Sequence, residues 1–462
     1  MEAGKPNGDL KSEVATLHHE ITERRYGQEL YSRFIGLCTD AQDKMSYAYE
    51  SKGDAIATDA LSMFGILEDD EWLKRLDLHH LTTVQQEELK EVAYKTLVSL
   101  GDFTVRWSWR LKESGSESAN RCLDILERAK FHKPTRAFHW VKEQALKQRG
   151  SSDESEIEKK LAEDAVSESA WDYYLPGHTA GWNKDLPEAI RSYELALRIQ
   201  PDHFNSLFFL ADRLSAVDDD PQKMHRALGL FSACIALKPK HLPTYWKRAI
   251  IKEKLGDIIG AEQDFLDGKK MASREGRLGT LQLTMISFYL RQNEFTKGRS
   301  LIRELGVEAL IAAAEKIDED KSQVRNFIAW VLANDPLADA LDISNAVQLA
   351  NEAVQIAPEY GGNWNTLGVA QYRASEWQSA LVSLNKSIEL CKLMKPQHSP
   401  ALDYLYLAMT YWNLDAKDQS LQFYEKAVAS LKSMGDADAK RVKPEVEGIL
   451  GITPDPPESK PD

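Results

Sequence analysis

A fixed spacing of small and bulky residues recurs along this 462-residue chain and constrains its fold more than any other feature. In most copies an alanine is followed four residues later by an aromatic residue or a leucine, and a small residue comes three positions after that. The copies start at Ala189, Ala227, Ala261, Ala346 and Ala380, and a variant starts at Ser420. The step from Ala227 to Ala261 is 34 residues, and so is the step from Ala346 to Ala380.

Each copy has the residue types that two closely packed antiparallel helices require. The small residues suit the points where the helices cross, and the bulky residue fills the space between neighbouring pairs. Pro201, Pro239 and Pro358 follow second helices, which proline cannot continue. A 34-residue period of this kind is typical of tetratricopeptide repeats (TPRs). The sequence predicts an all-α fold, a TPR-type α-solenoid that winds as a right-handed superhelix of helix–turn–helix repeats, with an N-terminal helical segment.

Weaker copies of the pattern fill the gaps between the clear ones. They contain Cys122, Leu126 and Ala129 in one case and Gly298 and Ile302 in another. The charged stretch "SSDESEIEKKLAEDA" predicts the second helix of a degenerate repeat. In "YYLPGHTAGW", Pro176 stands where a first helix usually has leucine before glycine, which predicts a kink or a short helix. An ordinary helical bundle without repeats is the alternative fold.

Changes in this pattern divide the chain into five predicted segments. Before Lys112 the repeats give way to long amphipathic stretches, and a charged break at Ala312–Asn326 separates two stacks. Both ends are polar and contain proline or glycine, which is typical of disordered tails. The predicted segments are a tail at 1–20, an N-terminal helical segment at 21–111, a TPR-like array at 112–325, a C-terminal TPR array at 326–449 and a tail at 450–462.

The composition limits the classes of partner. A formal net charge of −14 argues against a general nucleic-acid binder, which needs clustered lysine and arginine. The four cysteines form no CxxC pair, so they are predicted to be buried small residues in a reducing compartment. The start of the sequence has no apolar secretory region, and no segment is apolar enough to span a bilayer. We therefore expect a cytoplasmic protein without membrane or nucleic-acid partners.

The sequence contains no clear catalytic or metal-binding motif. Eleven histidines are present, but there is no HExxH motif, and adjacent pairs such as His18 and His19 point apart on a helix. Surface positions are therefore predicted for the histidines. Acidic runs such as Glu68–Glu71 and Asp218–Asp220 are predicted to be solvated turns. We expect no enzyme activity, no cofactor and no metal.

Several stretches resemble a known family. "NWNTLGVAQYR" followed by "EWQSAL", together with "NFIAWVLANDP" and "DYLYLAMTYWNLDAKDQSLQFYEKAV", resembles the C-terminal TPR region of large serine/threonine protein kinases from planctomycete bacteria. The resemblance spans roughly Tyr31 to Ile452 and is most specific in Asn326–Ala427. In that family the repeats follow a kinase catalytic domain. The resemblance implies a protein or peptide partner, with a kinase or a kinase substrate as the candidate.

The kinase catalytic domain itself is missing from this sequence. There is no glycine-rich loop, no VAIK lysine, no HRD catalytic loop and no DFG motif; Asp102-Phe103 is followed by Thr104 instead of glycine. The chain is predicted to be a non-catalytic scaffold for protein–protein interaction that is associated with a kinase signalling system. The alternatives are a separated or divergent kinase with ATP-dependent activity, and a purely structural assembly subunit.

The concave face of a TPR stack is lined by first helices and suits an extended peptide or a partner helix. By repeat position, the residues predicted to bind a partner there are Trp246, Asn365, Val369, Tyr372, Arg373, Tyr406 and Trp412. The competing interpretation for each is packing against the next repeat. A carboxylate clamp for chaperone tails is not predicted, because the helices around Asn365 lack the other required residues.

Overall fold

The structure is a computed structural model that describes residues 8–46, 52–69, 71–108, 114–167, 169–216, 220–275, 278–315, 320–392 and 399–453. Within these ranges every regular element is a helix and no strand is present, which confirms the predicted all-α class. The chain divides into two compact units, Met1–Glu262 and Gln263–Asp462, which we describe separately.

The first unit is a series of antiparallel helix pairs. Its helices are α1 Gly8–Ser46, α2 Gly53–Ser62, a 3-10 helix Trp72–His79, α3 Thr83–Arg106, α4 Gly115–Glu127, α5 Arg136–Arg149, α6 Ser152–Asp164, α7 Ala170–Trp182, α8 Leu186–Ile199, α9 Phe204–Ala216, α10 Pro221–Leu237 and α11 Leu242–Lys254. α12, Ile258–Glu275, begins in this unit and ends in the second. The pairs α1/α2, α3/α4, α5/α6, α7/α8 and α9/α10 each pack along their lengths, as the solenoid prediction requires.

The second unit continues the same construction. Its helices are α13 Leu278–Arg291, α14 Phe295–Leu305, α15 Val307–Glu315, α16 Lys321–Asn334, α17 Ala340–Ile356, α18 Gly361–Arg373, α19 Trp377–Cys391, α20 Ala401–Asn413, α21 Lys417–Ser433 and α22 Ala437–Leu450. The pairs are α13/α14, α16/α17, α18/α19 and α20/α21, and the first helices α16, α18 and α20 also contact one another in order. The last helix, α22, packs mainly against α20 rather than against α21, which precedes it.

Side-chain caps fix where several helices begin. Thr82, Ser114 and Asp339 each form a capping box, in which the side chain accepts from a backbone N–H three residues on and receives a reciprocal bond. At the starts of α8 and α10, Asp185 accepts from the Glu188 N–H and Asp220 from the Gln222 N–H, without the reciprocal bond. These caps satisfy backbone donors at the helix starts that would otherwise lack partners.

The register of the repeats agrees with the sequence pattern. The small residues that begin each copy are fully buried: Ala189, Ala227, Ala261, Ala346, Ala380 and Ser420. The bulky residues that follow, such as Phe231 and Leu384, are also fully buried. A Cβ added to Gly368 would lie 2.6 Å from Leu384 Cγ, so α18 and α19 cross at this glycine. The predicted crossing positions are therefore confirmed.

Pro176 does not shorten its helix. α7 runs continuously for 13 residues with Pro176 inside it, the same length as α9, α18 and α20. Gly177 then takes the crossing position, because a Cβ there would lie 2.8 Å from Ser192 Cβ on α8. The prediction of a short helix at this point is wrong, since the repeat geometry needs the full first helix to pack on its neighbours.

Two predicted boundaries differ from the structure. The sequence predicts that residues 8–20 belong to a disordered tail, but α1 already begins at Gly8. The two compact units separate at 262/263, whereas the sequence predicts a break between arrays at 325/326. The helix α16 begins at Lys321, inside the predicted charged break, and it belongs to the second unit. Residues 454–462, predicted as a tail, lie outside the described residues, and the other segment limits stay predictions.

Overpacking the crossing of α18 and α19 should be costly. Ala380 is fully buried there, so we expect Ala380→Leu to lower the free energy of unfolding by about 1–3 kcal/mol. Amide exchange should rise across residues 326–430 and change little in 185–262, because damage in a repeat stack stays near its site. The exposed Gln378→Lys is the matched control and should stay within about 0.5 kcal/mol. Equal small effects from both substitutions would contradict the register.

Candidate functional site: the inner face of the C-terminal array

The second unit has a surface on which its first helices meet its last helix. We call it the inner face and define it as the side of α16, α18 and α20 that α22 contacts. Five residues of α22 are buried: Ala439, Val442, Val446, Glu447 and Leu450. On α20, Leu405 and Met409 are fully buried although they stand at positions where a first helix would face the open groove. α22 therefore packs against α20, one of the first helices on which the sequence predicts partner-binding residues.

Five of the six predicted binding residues in this unit lie on α18 or in the middle of α20, and three of the five are buried. Val369 and Tyr406 are fully buried, and Tyr372 is 7% exposed. The rings of Tyr372 and Tyr406 meet edge to face with centroids 5.4 Å apart. Their placement as members of a partner-binding surface stays a prediction, since in this structure they pack inside the array beneath α22.

Arg373 connects the array to α22. Its Nη1 and Nη2 donate to Oε1 and Oε2 of Glu445 at 2.5 Å and 2.8 Å, a two-pronged contact between the end of α18 and the middle of α22. The guanidinium also lies over the rings of Tyr372 and Tyr406, 5.7 Å from each centroid. Burial lowers the pKa of Arg373, but the hydrogen bonds to Glu445 and the neighbouring Tyr406 raise it above its ordinary value. The arginine is a permanent cation directed at one carboxylate.

A second arginine, on α22 itself, reaches back across the array. Arg441 Nη2 donates to Asn334 Oδ1 at 2.9 Å, at the end of α16. Its guanidinium lies 4.5 Å from the ring centroid of Phe295, the first residue of α14. α22 thus touches α14, α16, α18 and α20, which is more than a helix that only covered the final hairpin would reach.

The side chain of Asn365, on α18, is hydrogen-bonded to a buried carboxyl group on α20. Its Nδ2 donates to Asp403 Oδ1 at 2.8 Å, and Asp403 is 3% exposed at the start of α20. Burial is the main cause that raises the pKa of Asp403; hydrogen bonds from Asn365 and Ser387 oppose the rise, the nearby Asp436 adds to it, and the net pKa is about 7. Asn365 is therefore engaged within the array, and Asp403 is a titratable group at the interface between two repeats.

The two predicted tryptophans lie apart from this cluster. Trp412 is half-buried near the end of α20, with the ammonium of Lys417 5.2 Å from its ring centroid. Trp246 is half-buried on α11 in the first unit. The structure therefore brings together five of the seven predicted residues, around α18 and the middle of α20, and leaves these two elsewhere.

The sequence reasoning missed α22 as part of the site. Its apolar residues at 439, 442, 446 and 450 have helical spacing, and that signal is visible in the sequence. What the spacing could not show is the direction of packing. A helix that stacks on α21 and a helix that packs over α20 have the same apolar spacing. Only the long-range contacts of Arg441 and Glu445 distinguish the two arrangements.

The prediction of surface histidines is wrong for part of the set. His178 is 2% exposed, and burial together with the nearby Arg106 lowers its pKa well below the ordinary value. Burial also lowers the pKa of His203 to about 4 and that of His241 to about 3. Sequence spacing gave no sign of this, because the backbone partner of His178, Ser46, lies 132 residues away.

The cysteines follow their prediction more closely. Cys38, Cys122 and Cys234 are fully buried and Cys391 is half-buried, all as free thiols. In the described part of the chain, no three histidine, cysteine, aspartate or glutamate side chains are grouped so that they could hold a metal ion. None of the helices described is both long and apolar enough to cross a membrane.

No family model and no curated protein matches this sequence. Solved structures give weak likenesses to TPR proteins. YrrB, titled a TPR protein with an unusual peptide-binding site, is 16% identical over 46% of this chain and 97% of its own, with a TM-score of 0.36. A TPR protein from Parabacteroides merdae is 14% identical over 62% and 100%, with a TM-score of 0.38. Yeast Tom70 is 12% identical over 94% and 95%, with a TM-score of 0.32. At these values the likenesses carry no argument about function.

Proposed function

We propose that this chain is a non-catalytic scaffold that mediates protein–protein interaction, and that the inner face binds an amphipathic helix of a partner protein. The observation that supports this most directly is α22 itself. A helix with a buried apolar face already packs against α20 and reaches α16 and α18 through Arg441 and Glu445. A surface that accepts one such helix has the width and the apolar lining to accept another.

The contacts of α22 define the chemistry that a partner helix would need. An apolar stripe of small or branched aliphatic residues spaced as 439, 442, 446 and 450 would fill the space over α20. A glutamate or aspartate one position before the third stripe residue would meet Arg373, as Glu445 does now. Because Arg373 is already held over two rings, it loses little freedom on binding such a carboxylate.

α22 would also control access to the inner face. It is connected to α20 through α21, so its effective concentration at the site is high, in the range of about 1 mM for a short tether. A partner helix would bind only where its own affinity exceeds that of α22 at this concentration, or after α22 has been displaced. On this proposal the resting chain is closed.

The finer proposal places this scaffold beside a serine/threonine kinase, with a kinase or a kinase substrate as the partner. The sequence resemblance to the repeat regions of planctomycete kinases supports it. Binding of the purified chain to the kinases encoded by the same organism, measured one by one, tests it. Failure with every kinase and with phosphorylated and unphosphorylated substrates would reject the kinase association and leave the scaffold proposal standing.

The alternative, a divergent kinase, predicts nucleotide chemistry. We expect the purified chain to transfer no phosphate from ATP. Asp102 belongs to the Asp-Phe dipeptide that resembles part of a DFG motif, and it is 2% exposed on α3. One carboxylate oxygen pairs with Arg106 at 2.6 Å, and the other accepts a hydrogen bond from the hydroxyl of Thr179 at 2.8 Å. Both oxygens are thus engaged inside the fold rather than free for Mg²⁺. Calorimetric titration with Mg·ATP measures nucleotide binding, and a radiolabel assay measures phosphate transfer. Transfer that persists after contaminating kinases are removed would contradict the prediction.

The scaffold proposal is tested by selecting ligands for the inner face. The full chain with Val446→Asp, which should free the face, is used to pan a displayed library of peptides. We expect enriched peptides with apolar residues at helical spacing and an acidic residue that pairs with Arg373. The matched selection uses the chain with Val446→Asp and Arg373→Glu, from which peptides with a basic residue at that position should emerge. Enrichment of peptides without helical periodicity, or of none, would contradict the proposal.

A further inference from the structure

A separate polar cavity lies in the first unit, on the side of its first helices. It has a volume of about 90 Å³ and is formed by the last turn of α1 together with α3, α7 and α9. Its lining is mostly polar and includes Arg106, His178 and Asn205, with the ring of Trp171 among its apolar members. None of these residues takes part in the inner face of the second unit, so a ligand of this cavity is independent of the proposed function.

Three buried polar atoms of the described residues around this cavity have no hydrogen-bond partner. They are Nη1 of Arg106, Nδ1 of His178 and Oδ1 of Asn205. Two neighbouring groups do have partners: Arg106 Nε donates to Asp102, and the hydroxyl of Tyr174 donates to Ser46 Oγ at 2.7 Å. Buried polar groups without partners are costly, so atoms arranged around one cavity indicate that something is bound there.

The role of each unpartnered atom depends on its surroundings. His178 Nε2 lies 2.9 Å from the backbone oxygen of Ser46, a pure acceptor, so Nε2 carries the hydrogen. Burial and the positive charge of Arg106 lower the pKa of His178, which keeps the ring neutral and leaves Nδ1 as an acceptor. Arg106 Nη1 is a donor, and Asn205 Oδ1 is an acceptor. The three unpartnered atoms therefore offer one donor and two acceptors.

The charge of the cavity is balanced before any ligand arrives. Arg106 is paired with Asp102, and both side chains are almost fully buried, at 6% and 2% exposure. A carboxylate ligand would satisfy Arg106 but would face two lone pairs and the charge of Asp102. An ammonium ligand would satisfy the two acceptors but would face Arg106. A neutral group with both an acceptor and N–H donors avoids both conflicts.

We propose that this cavity is a binding site for a primary carboxamide, such as the side chain of asparagine or glutamine in a partner peptide. The carbonyl oxygen accepts from Arg106 Nη1, and the amide hydrogens are donated to His178 Nδ1 and Asn205 Oδ1. The volume corresponds to roughly three water molecules at about 30 Å³ each, which suits a carboxamide and its first methylene carbon. Trp171 closes the apolar side.

The test uses acetamide, acetate and methylammonium as separate probes of the full chain. Binding is followed by the ring ¹³C shift of His178 in histidine-labelled protein, with the resonance assigned by its loss in His178→Gln. Acetamide is expected to give a saturable shift, with a dissociation constant at least tenfold lower than that of acetate or methylammonium. Arg106→Lys keeps a positive charge beside Asp102 but removes the Nη1 donor, and Asn205→Ala removes one acceptor. Each substitution should raise the dissociation constant of acetamide at least fivefold.

Four results would overturn the assignment. Tighter binding of acetate would make the cavity an anion site, and tighter binding of methylammonium would make it a cation site. A shift that rises linearly for every probe would mean that the cavity holds water only. Acetamide binding that is unchanged in both variants would place the amide elsewhere. The comparison among the three probes uses the unaltered chain, so it stands even where a substitution weakens folding.

Discussion

Replacing Val446 by aspartate is expected to release α22 from the inner face and to open that face to a helix supplied in solution. Val446 is fully buried at the centre of the apolar stripe of α22. A carboxylate at this point would cost about 3 kcal/mol or more, because burial against α20 removes it from water. We expect this cost to exceed the free energy that holds a short terminal helix on the array. α22 should therefore detach while the paired helices stay folded.

The measurement is fluorescence anisotropy with a labelled peptide of residues 436–452, which is α22 with both of its caps. The unaltered chain should bind this peptide weakly, because its own α22 competes at high effective concentration. Chains with Val446→Asp should bind it at least tenfold more tightly. Gly448→Asp is the matched control, since it places the same charge on the same helix where an added side chain meets nothing within 4 Å.

Equal binding by the Val446→Asp and Gly448→Asp chains would contradict the idea that α22 closes the inner face. Hydrogen exchange in α22 separates the two ways in which this could arise. If α22 exchanges fast in the Val446→Asp chain but no peptide binds, the inner face does not accept a helix supplied in solution. That result would also contradict the proposal that the inner face binds a partner helix. Slow exchange would mean that α22 is a fixed part of the array rather than a displaceable ligand.

The repeat register was predictable because it depends on contacts between residues close in sequence. Ala380 packs against the helix that precedes it, so the small residue, the bulky residue four positions later and the turn before them all fall within one 34-residue period. Local spacing is enough to place Gly368 against Leu384. The same holds for Cys122 and Ala227, whose burial agrees directly with the pattern.

The state of the candidate site was not predictable, because it depends on contacts that no period encodes. Arg373 and Glu445 are 72 residues apart, and Arg441 and Asn334 are 107 apart. Each of these side chains looks like an ordinary surface group in the sequence. Tyr406, which repeat position places on the groove, is fully buried, and the guanidinium of Arg373 lies over its ring.

The second large effect is expected at Asp403, whose ionisation should destabilise the second unit. Its pKa of about 7 in the folded chain compares with about 3.9 for an unfolded aspartate, so the folded state holds the proton more tightly. Between those two values unfolding releases a proton, and the free energy of unfolding therefore falls as the pH rises from about 4 to about 7, by up to about 4 kcal/mol. Above pH 7 this contribution changes no further.

Asp403→Asn should remove that dependence, because asparagine keeps the oxygen that accepts from Asn365 but cannot ionise. We expect the variant to be more stable than the unaltered chain at pH 8 by about 2 kcal/mol or more, and similar to it within about 1 kcal/mol at pH 4.5. Urea denaturation at fixed pH values between 4.5 and 8 measures both. The exposed Glu425→Gln makes the same carboxylate-to-amide change on α21 and should leave the pH profile unaltered. A profile that falls equally steeply in Asp403→Asn would mean that Asp403 is already ionised inside the array, and that the hydrogen bonds from Asn365 and Ser387 outweigh its burial.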